Sequence, residues 1–185
     1  MICSSFDPLT LQQALNFYID NLNYVPLVCP SVVDLDVLYE TIPKDRVPTP
    51  HLNKYYVGSA EQSFLQLLKD GFIPKENCRY LLISPCKRDE EKHDDTHFDI
   101  FFKIELITID KSVSLIDDAL SCFEYLTKDK NKKICTSFDI NTNIFDIEIN
   151  DIEVGSYGSR IYNNIKYYYG TGIALPRFNY ALSLT

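Results

Sequence analysis

Tryptophan is absent from this sequence of 185 residues, methionine occurs once and histidine three times. No run of 18 apolar residues exists, so no membrane-spanning helix is expected. The first twenty residues carry Asp7 and Asp20 but no lysine or arginine, so no secretory signal with a basic leading region is expected either. The six cysteines, at positions 3, 29, 78, 86, 122 and 135, form no Cys-x-x-Cys pair. Cys78 and Cys86 lie closest, and no histidine stands at zinc-finger spacing from them. Free thiols in a reducing, cytoplasmic compartment are therefore expected. Repeats, low-complexity tracts and linkers are also missing, which points to one domain over residues 1–185.

Lys and Arg number 18 and Asp and Glu 26, for a formal net charge of −8. That balance argues against a non-specific nucleic-acid binder, whose affinity comes mostly from neutralising phosphates. It leaves room for a nucleotide or an RNA end held in a local basic pocket. Hydrophobic residues make up 45% and charged residues 24%, an ordinary balance for a folded domain. The 13 Tyr and 11 Phe reflect compositional bias more than function.

Asp7-Pro8 reads as a helix cap with proline at the first helical position. Leu11, Ala14, Leu15, Tyr18, Ile19 and Leu22 follow at helical spacing on one face. Residues 24–29 form a short strand closed by Pro30. Pro43, Pro48 and Pro50 mark a loop over 40–54. Strands are predicted at 54–57, 80–84, 98–109, 134–140, 144–149, 152–155 and 167–173, and helices at 60–69, 113–126 and from about Pro176. The pattern predicts an α+β fold with a mainly antiparallel sheet.

Three stretches carry candidate chemistry. In Cys86-Lys87-Arg88-Asp89-Glu90 and its return through His97, Phe101 and Glu105, an arginine leaves a strand and aromatic residues come back. A guanidinium could meet a phosphate there and a ring a base, or the segment could be a charged hairpin with a buried return strand. Asp146 and Glu153 flank a turn at Asn150-Asp151, and a hairpin could bring both to one hard cation such as Mg²⁺, or simply have a polar face. Gly155 and Gly158 permit close backbone approach. Gly170 to Arg177 runs from a glycine-flanked strand into a helix, either an anion site at the helix start or a plain corner.

In this order, the three stretches resemble the catalytic core of class II aminoacyl-tRNA synthetases, nearest to the aspartyl/asparaginyl type. Val25 to Pro30 is similar to the family's first motif, Cys86 to Glu90 with its return strand to the second, and Gly172 to Arg177 to the third. The resemblance covers residues from about 10 to 185, on motif spacing. It implies an antiparallel six-stranded sheet flanked by helices, a homodimer, and ATP- and Mg²⁺-dependent activation of a small amino acid. Arg88 would bind and polarise the α-phosphate of ATP. Glu90 would contact adenine or the substrate amine, and Phe101 would stack on adenine with Arg177 opposite. His97 would help to hold the bent triphosphate. Asp146 and Glu153 would hold Mg²⁺. Ser59, Glu61 and Arg160 would face the amino acid, with Arg160 suited to an acidic or amide side chain. The substrate carboxylate is itself the nucleophile, so catalysis is positioning and charge neutralisation.

Several positions depart from the family pattern. Lys87, Thr96, Ile100, Phe64, Ala174 and Pro176 stand where an aromatic residue, Arg, Glu, Lys, Gly and an acid are usual. The ATP-contacting set is mostly kept and the amino-acid set altered. No anticodon-binding segment is expected beside the core. The acyl acceptor is thus open between a tRNA acceptor end, ammonia (as in asparagine-forming ligases) and another carrier. A non-catalytic paralogue that binds ATP or an amino acid is the alternative within the same fold, and an unrelated α+β protein the alternative outside it.

Overall fold

The computed structural model describes residues 7–46, 48–89, 94, 96–128 and 132–184. Helix α1 (Pro8–Asn16) starts where Asp7 and Pro8 predict, and Asp7 Oδ1 accepts the Leu9 N–H at 2.9 Å. The expected single helix continues as a π-helical turn over Phe17–Asn21. There follow β1 (Val25–Leu27), β2 (Val32–Val33), α2 (Leu35–Leu38), β3 (Pro50–His51), β4 (Lys54–Tyr56) and α3 (Ala60–Lys69). Next come β5 (Arg79–Lys87), β6 (Ile100–Thr108), α4 (Leu115–Thr127), β7 (Ile134–Asp139), β8 (Ile144–Ile149), β9 (Ile152–Tyr162), β10 (Ile165–Leu175) and α5 (Arg177–Ser183).

The large sheet has seven strands, in the order β1-β5-β6-β10-β9-β8-β7, instead of the expected six. Six of them, β5 to β7 in that order, are mutually antiparallel. β1 joins the edge in parallel with β5, Val25 opposite Tyr80. A parallel neighbour needs a long crossover, and α2, the small sheet β2-β4-β3 and α3 supply it.

Alternation divides the sheet into two unlike faces. Leu81, Ile104, Leu106, Ile147, Ile149, Ile173 and Leu175 point to one side, where α1, α4 and α5 cover them with Ala14, Ala119, Phe123, Phe178 and Ala181. Tyr80, Leu82, Cys86, Ile107, Tyr167 and Tyr169 point to the other, covered by Phe64, Leu65 and Leu68 of α3. The second cover is short, so the far half of that face stays open. Two bulges keep its polar side chains aligned. The β8–β9 register shifts at Val154, and the β10–β6 register shifts at Gly172. The latter step frees the Gly172 carbonyl, which accepts the buried Tyr18 hydroxyl at 2.8 Å.

β9 runs to Tyr162, well past the predicted end at 155. Its glycines are strand positions where tyrosine rings lie against the backbone. A Cβ on Gly158 would meet Tyr169 Oη at 2.7 Å, and one on Gly170 would collide with Tyr157 Cδ1. Tyr157 cannot yield easily, because it is buried and its hydroxyl donates to Thr171 O at 2.7 Å. Gly170→Ala is therefore expected to destabilise the fold by about 1–3 kcal/mol through overpacking. A urea midpoint equal to that of the parent chain would contradict this account.

Candidate active site

Two adjoining cavities open on the incompletely covered face. The first, about 240 Å³, lies between α3 and the segment from Leu38 to Thr49, with Ser59, Glu61 and Arg160 in its wall. The second, about 140 Å³, lies over β6, β9 and β10, with Phe101, Glu153 and Arg177 in its wall. Among the described residues, Arg88 and Lys103 alone line both.

Arg88 follows the end of β5, and its Nε and Nη2 donate to Gly58 O at 2.9 and 2.8 Å. Its guanidinium lies 5.0 Å from the centroid of Phe101. Arg177, at the start of α5, donates from Nε to Thr96 O at 3.0 Å and faces Glu153 across 3.8 Å. Arg88, Phe101, Arg177 and Glu153 thus meet at one cavity although 89 positions separate the two arginines along the chain.

The wall of the first cavity is a network of fixed charges. Ser59 caps α3 and Glu61 occupies its first turn. Glu61 is buried and takes two hydrogen bonds from Arg160 Nη1, at 2.5 and 2.6 Å, and one from the Tyr167 hydroxyl at 2.8 Å. The Arg160 guanidinium also lies 4.5 Å from the centroid of Tyr169. Glu61 and Arg160 therefore engage each other. Beside them Ser59 donates to Glu105 Oε2, and Lys103 Nζ stands 2.8 Å from the same oxygen and 3.1 Å from Ser59 Oγ. Among the described residues of this wall, Arg46, Lys87, Arg88, Lys103 and Arg160 oppose only Glu61 and Asp89. In a chain of net charge −8, such a basic lining concentrates the local field on an anion.

Burial holds the Glu105 carboxyl above its ordinary 4.5, against the pull of Lys103. A raised folded pKa means that the folded state holds the proton longer. The resulting stability is complete below pH 4.5 and is lost as pH rises through the folded value. The stability difference between the parent chain and Glu105→Gln is expected to fall steadily as pH is raised from 4.5. A pH-independent difference in urea unfolding would contradict this. Burial likewise pushes the Cys86 thiol up to about 12, so it is a packed side chain and not a nucleophile.

Other expected site residues are placed differently. His97 lies outside both cavity walls and is held by Asp94, its Nδ1 at 2.8 Å from Oδ1. Glu90 lies outside the described residues. Asp146 stands opposite Ser156, and Glu153 opposite Glu148, so Asp146, Glu148 and Glu153 share the open face without Asp146 entering the second cavity's wall. No three His, Cys, Asp or Glu side chains among the described residues are grouped to hold a metal by themselves. One or two carboxylates completed by phosphate oxygens are nevertheless a normal Mg²⁺ donor set, so the residues fit that ion when a triphosphate is present. Asn150 donates to Ala181 O and Leu184 O, both at 2.9 Å, and so anchors the end of α5. Lys103 is a wall residue that the motif pattern does not single out. Its position still carries a signal, because it is a cation at the alternate position between Phe101 and Glu105 on a strand already aimed at the site.

No protein-family model matches the chain, and no curated protein matches its sequence. Solved structures do match. Pyrrolysyl-tRNA synthetase from Desulfitobacterium hafniense superposes at a TM-score of 0.68 with 15% identity, over 92% of this chain and 67% of that one. Seryl-tRNA synthetase from Pyrococcus horikoshii, solved in complex with ATP, superposes at 0.71 with 16% identity, over 94% of this chain and 49% of that one. The fold is that of a class II aminoacyl-tRNA synthetase catalytic core. These neighbours are of the pyrrolysyl and seryl types, and they lend no support to the aspartyl/asparaginyl subclass.

Proposed function

We propose that this chain uses ATP to activate the carboxylate of a small amino acid as an acyl-adenylate. Two cavities on one sheet face, joined at Arg88 and Lys103, carry this reading. The second cavity would take ATP, with adenine against Phe101 and Arg177 near the terminal phosphates. Arg88 would exchange the neutral Gly58 carbonyl for the α-phosphate, a stronger charge-assisted partner for its planar fork. Asp146 and Glu153 would hold Mg²⁺, whose charge would offset that of the phosphates. The first cavity would take the amino acid, with Ser59, Glu61 and Arg160 facing it. Its basic lining favours an aspartate- or asparagine-like substrate with a polar or acidic side chain.

In the reaction the bound carboxylate attacks the α-phosphorus and pyrophosphate departs. No protein nucleophile or proton carrier is required, so rate comes from alignment and fixed positive charge. The acyl group would pass to a tRNA acceptor end or to ammonia. β1 forms one edge of the sheet among the described strands, and that edge suits contact with a second copy of the chain. Exchange of labelled pyrophosphate into ATP, assayed with each amino acid in turn, tests the proposal. Exchange that depends on one amino acid or a few supports it, and a chain inert with all of them refutes it.

A further inference from the structure

Lys103 stands on β6 between Phe101 and Glu105, and its side chain is 14% exposed. Two of its three N–H donors are directed to Glu105 Oε2 and Ser59 Oγ on the buried side. Ser59 is itself fixed by donating to the same Glu105 oxygen. The ammonium is thus held from below, with one donor left over, where the two cavities adjoin. A lysine needed only to neutralise Glu105 would need access to neither cavity, yet this one lines both.

Any reaction that joins a ligand of the first cavity to one of the second must occur at that boundary. If the ligands are a carboxylate and a triphosphate, two anions have to approach to bonding distance, and a fixed cation between them lowers the barrier. We propose that Lys103 is a second catalytic cation of the adenylation described above, acting with Arg88 and bridging the attacking carboxylate and the α-phosphoryl oxygens. The inference rests on that reading of the two cavities. A carboxylate oxygen forms a bond to the α-phosphorus. The bond from that phosphorus to the bridging oxygen breaks, and its electron pair leaves with pyrophosphate. No proton moves, so Lys103 works through its charge and not as an acid. The two cations differ in shape and so complement each other. The Arg88 fork spans two phosphate oxygens, while the compact ammonium fits between the reactants.

Lys103→Met alone would leave Glu105 buried beside no cation, so the deciding comparison is Lys103→Met/Glu105→Gln against Glu105→Gln. Thermal unfolding establishes that both are folded, calorimetry gives ATP affinity, and amino-acid-dependent pyrophosphate exchange gives the rate. Relative to Glu105→Gln, the double variant is expected to keep its ATP affinity within about threefold and to lose exchange about 100-fold. Lys103→Arg, which keeps the charge, is expected to retain more exchange than Lys103→Met. Exchange by the double variant within about threefold of Glu105→Gln overturns the proposal. So does a loss fully matched by weaker ATP binding, which would make Lys103 a nucleotide-binding group only. A parent chain inert with every amino acid sinks the adenylation reading and this inference together, whereas an active parent with an equally active double variant sinks this inference alone.

Discussion

Arg88→Ala is expected to lower amino-acid-dependent pyrophosphate exchange by roughly 10²–10³-fold, the usual effect of removing one preorganised charge-stabilising group. The fold should survive, because Arg88 stands at the edge of both cavities, where water can replace its bonds to the Gly58 carbonyl. Arg88→Lys is expected to recover only part of the rate, because an ammonium lacks the guanidinium's planar pair of donors. Exchange measured beside thermal unfolding separates the two effects. A folded Arg88→Ala chain with undiminished exchange would remove the basis for assigning adenylation to this site.

The largest expected stability effect lies at Glu61. This carboxylate is enclosed beneath α3 and is held by Arg160 and Tyr167. Arg160→Ala would leave it in the interior with a single neutral donor. The expected loss is about 3 kcal/mol, at the low end for breaking a buried pair because the arginine side chain keeps 33% of its surface exposed. Glu61→Leu/Arg160→Met removes both charges and keeps similar bulk, so it should be more stable than Arg160→Ala. Urea midpoints for the three chains measure this. An Arg160→Ala chain as stable as the parent would mean that solvent already screens the pair.

Local signals carried much of the architecture. Asp7-Pro8 marked the first helix, and the apolar spacing through α3 and α4 marked two more. The residues of β6 and β8 alternated plainly enough to be read as strands. Failures occurred where tertiary contacts overrode local propensity. The strand from 152 was expected to end at 155, but β9 runs on to Tyr162 through Gly158, against which the Tyr169 ring packs closely. The antiparallel strands follow one another through hairpins or a single helix, whereas the parallel seat of β1 depended on a crossover that no short pattern announces.

The site was legible as a set of residue types but not as a set of contacts. The sequence singled out Arg88, Phe101, Arg177 and Glu153, and these do line one cavity. It could not show that Glu61 and Arg160, 99 positions apart, are each other's partners. Nor could it show that Lys132 donates to the Leu184 carbonyl, 52 positions away. A strand bulge decides which side chains share a face, and a bulge has no sharp signature in sequence.

The Tyr18 hydroxyl reaches across the helical layer to the Gly172 carbonyl, three residues before the peptide that turns the chain into Pro176 and Arg177. The amino-terminal helix is thus a buttress for the arm that presents an arginine on the opposite side of the sheet. Variants shortened to begin after Tyr18 would take that donor away from the Gly172 carbonyl, and the second cavity would slacken at its far wall although no group lining it had been removed.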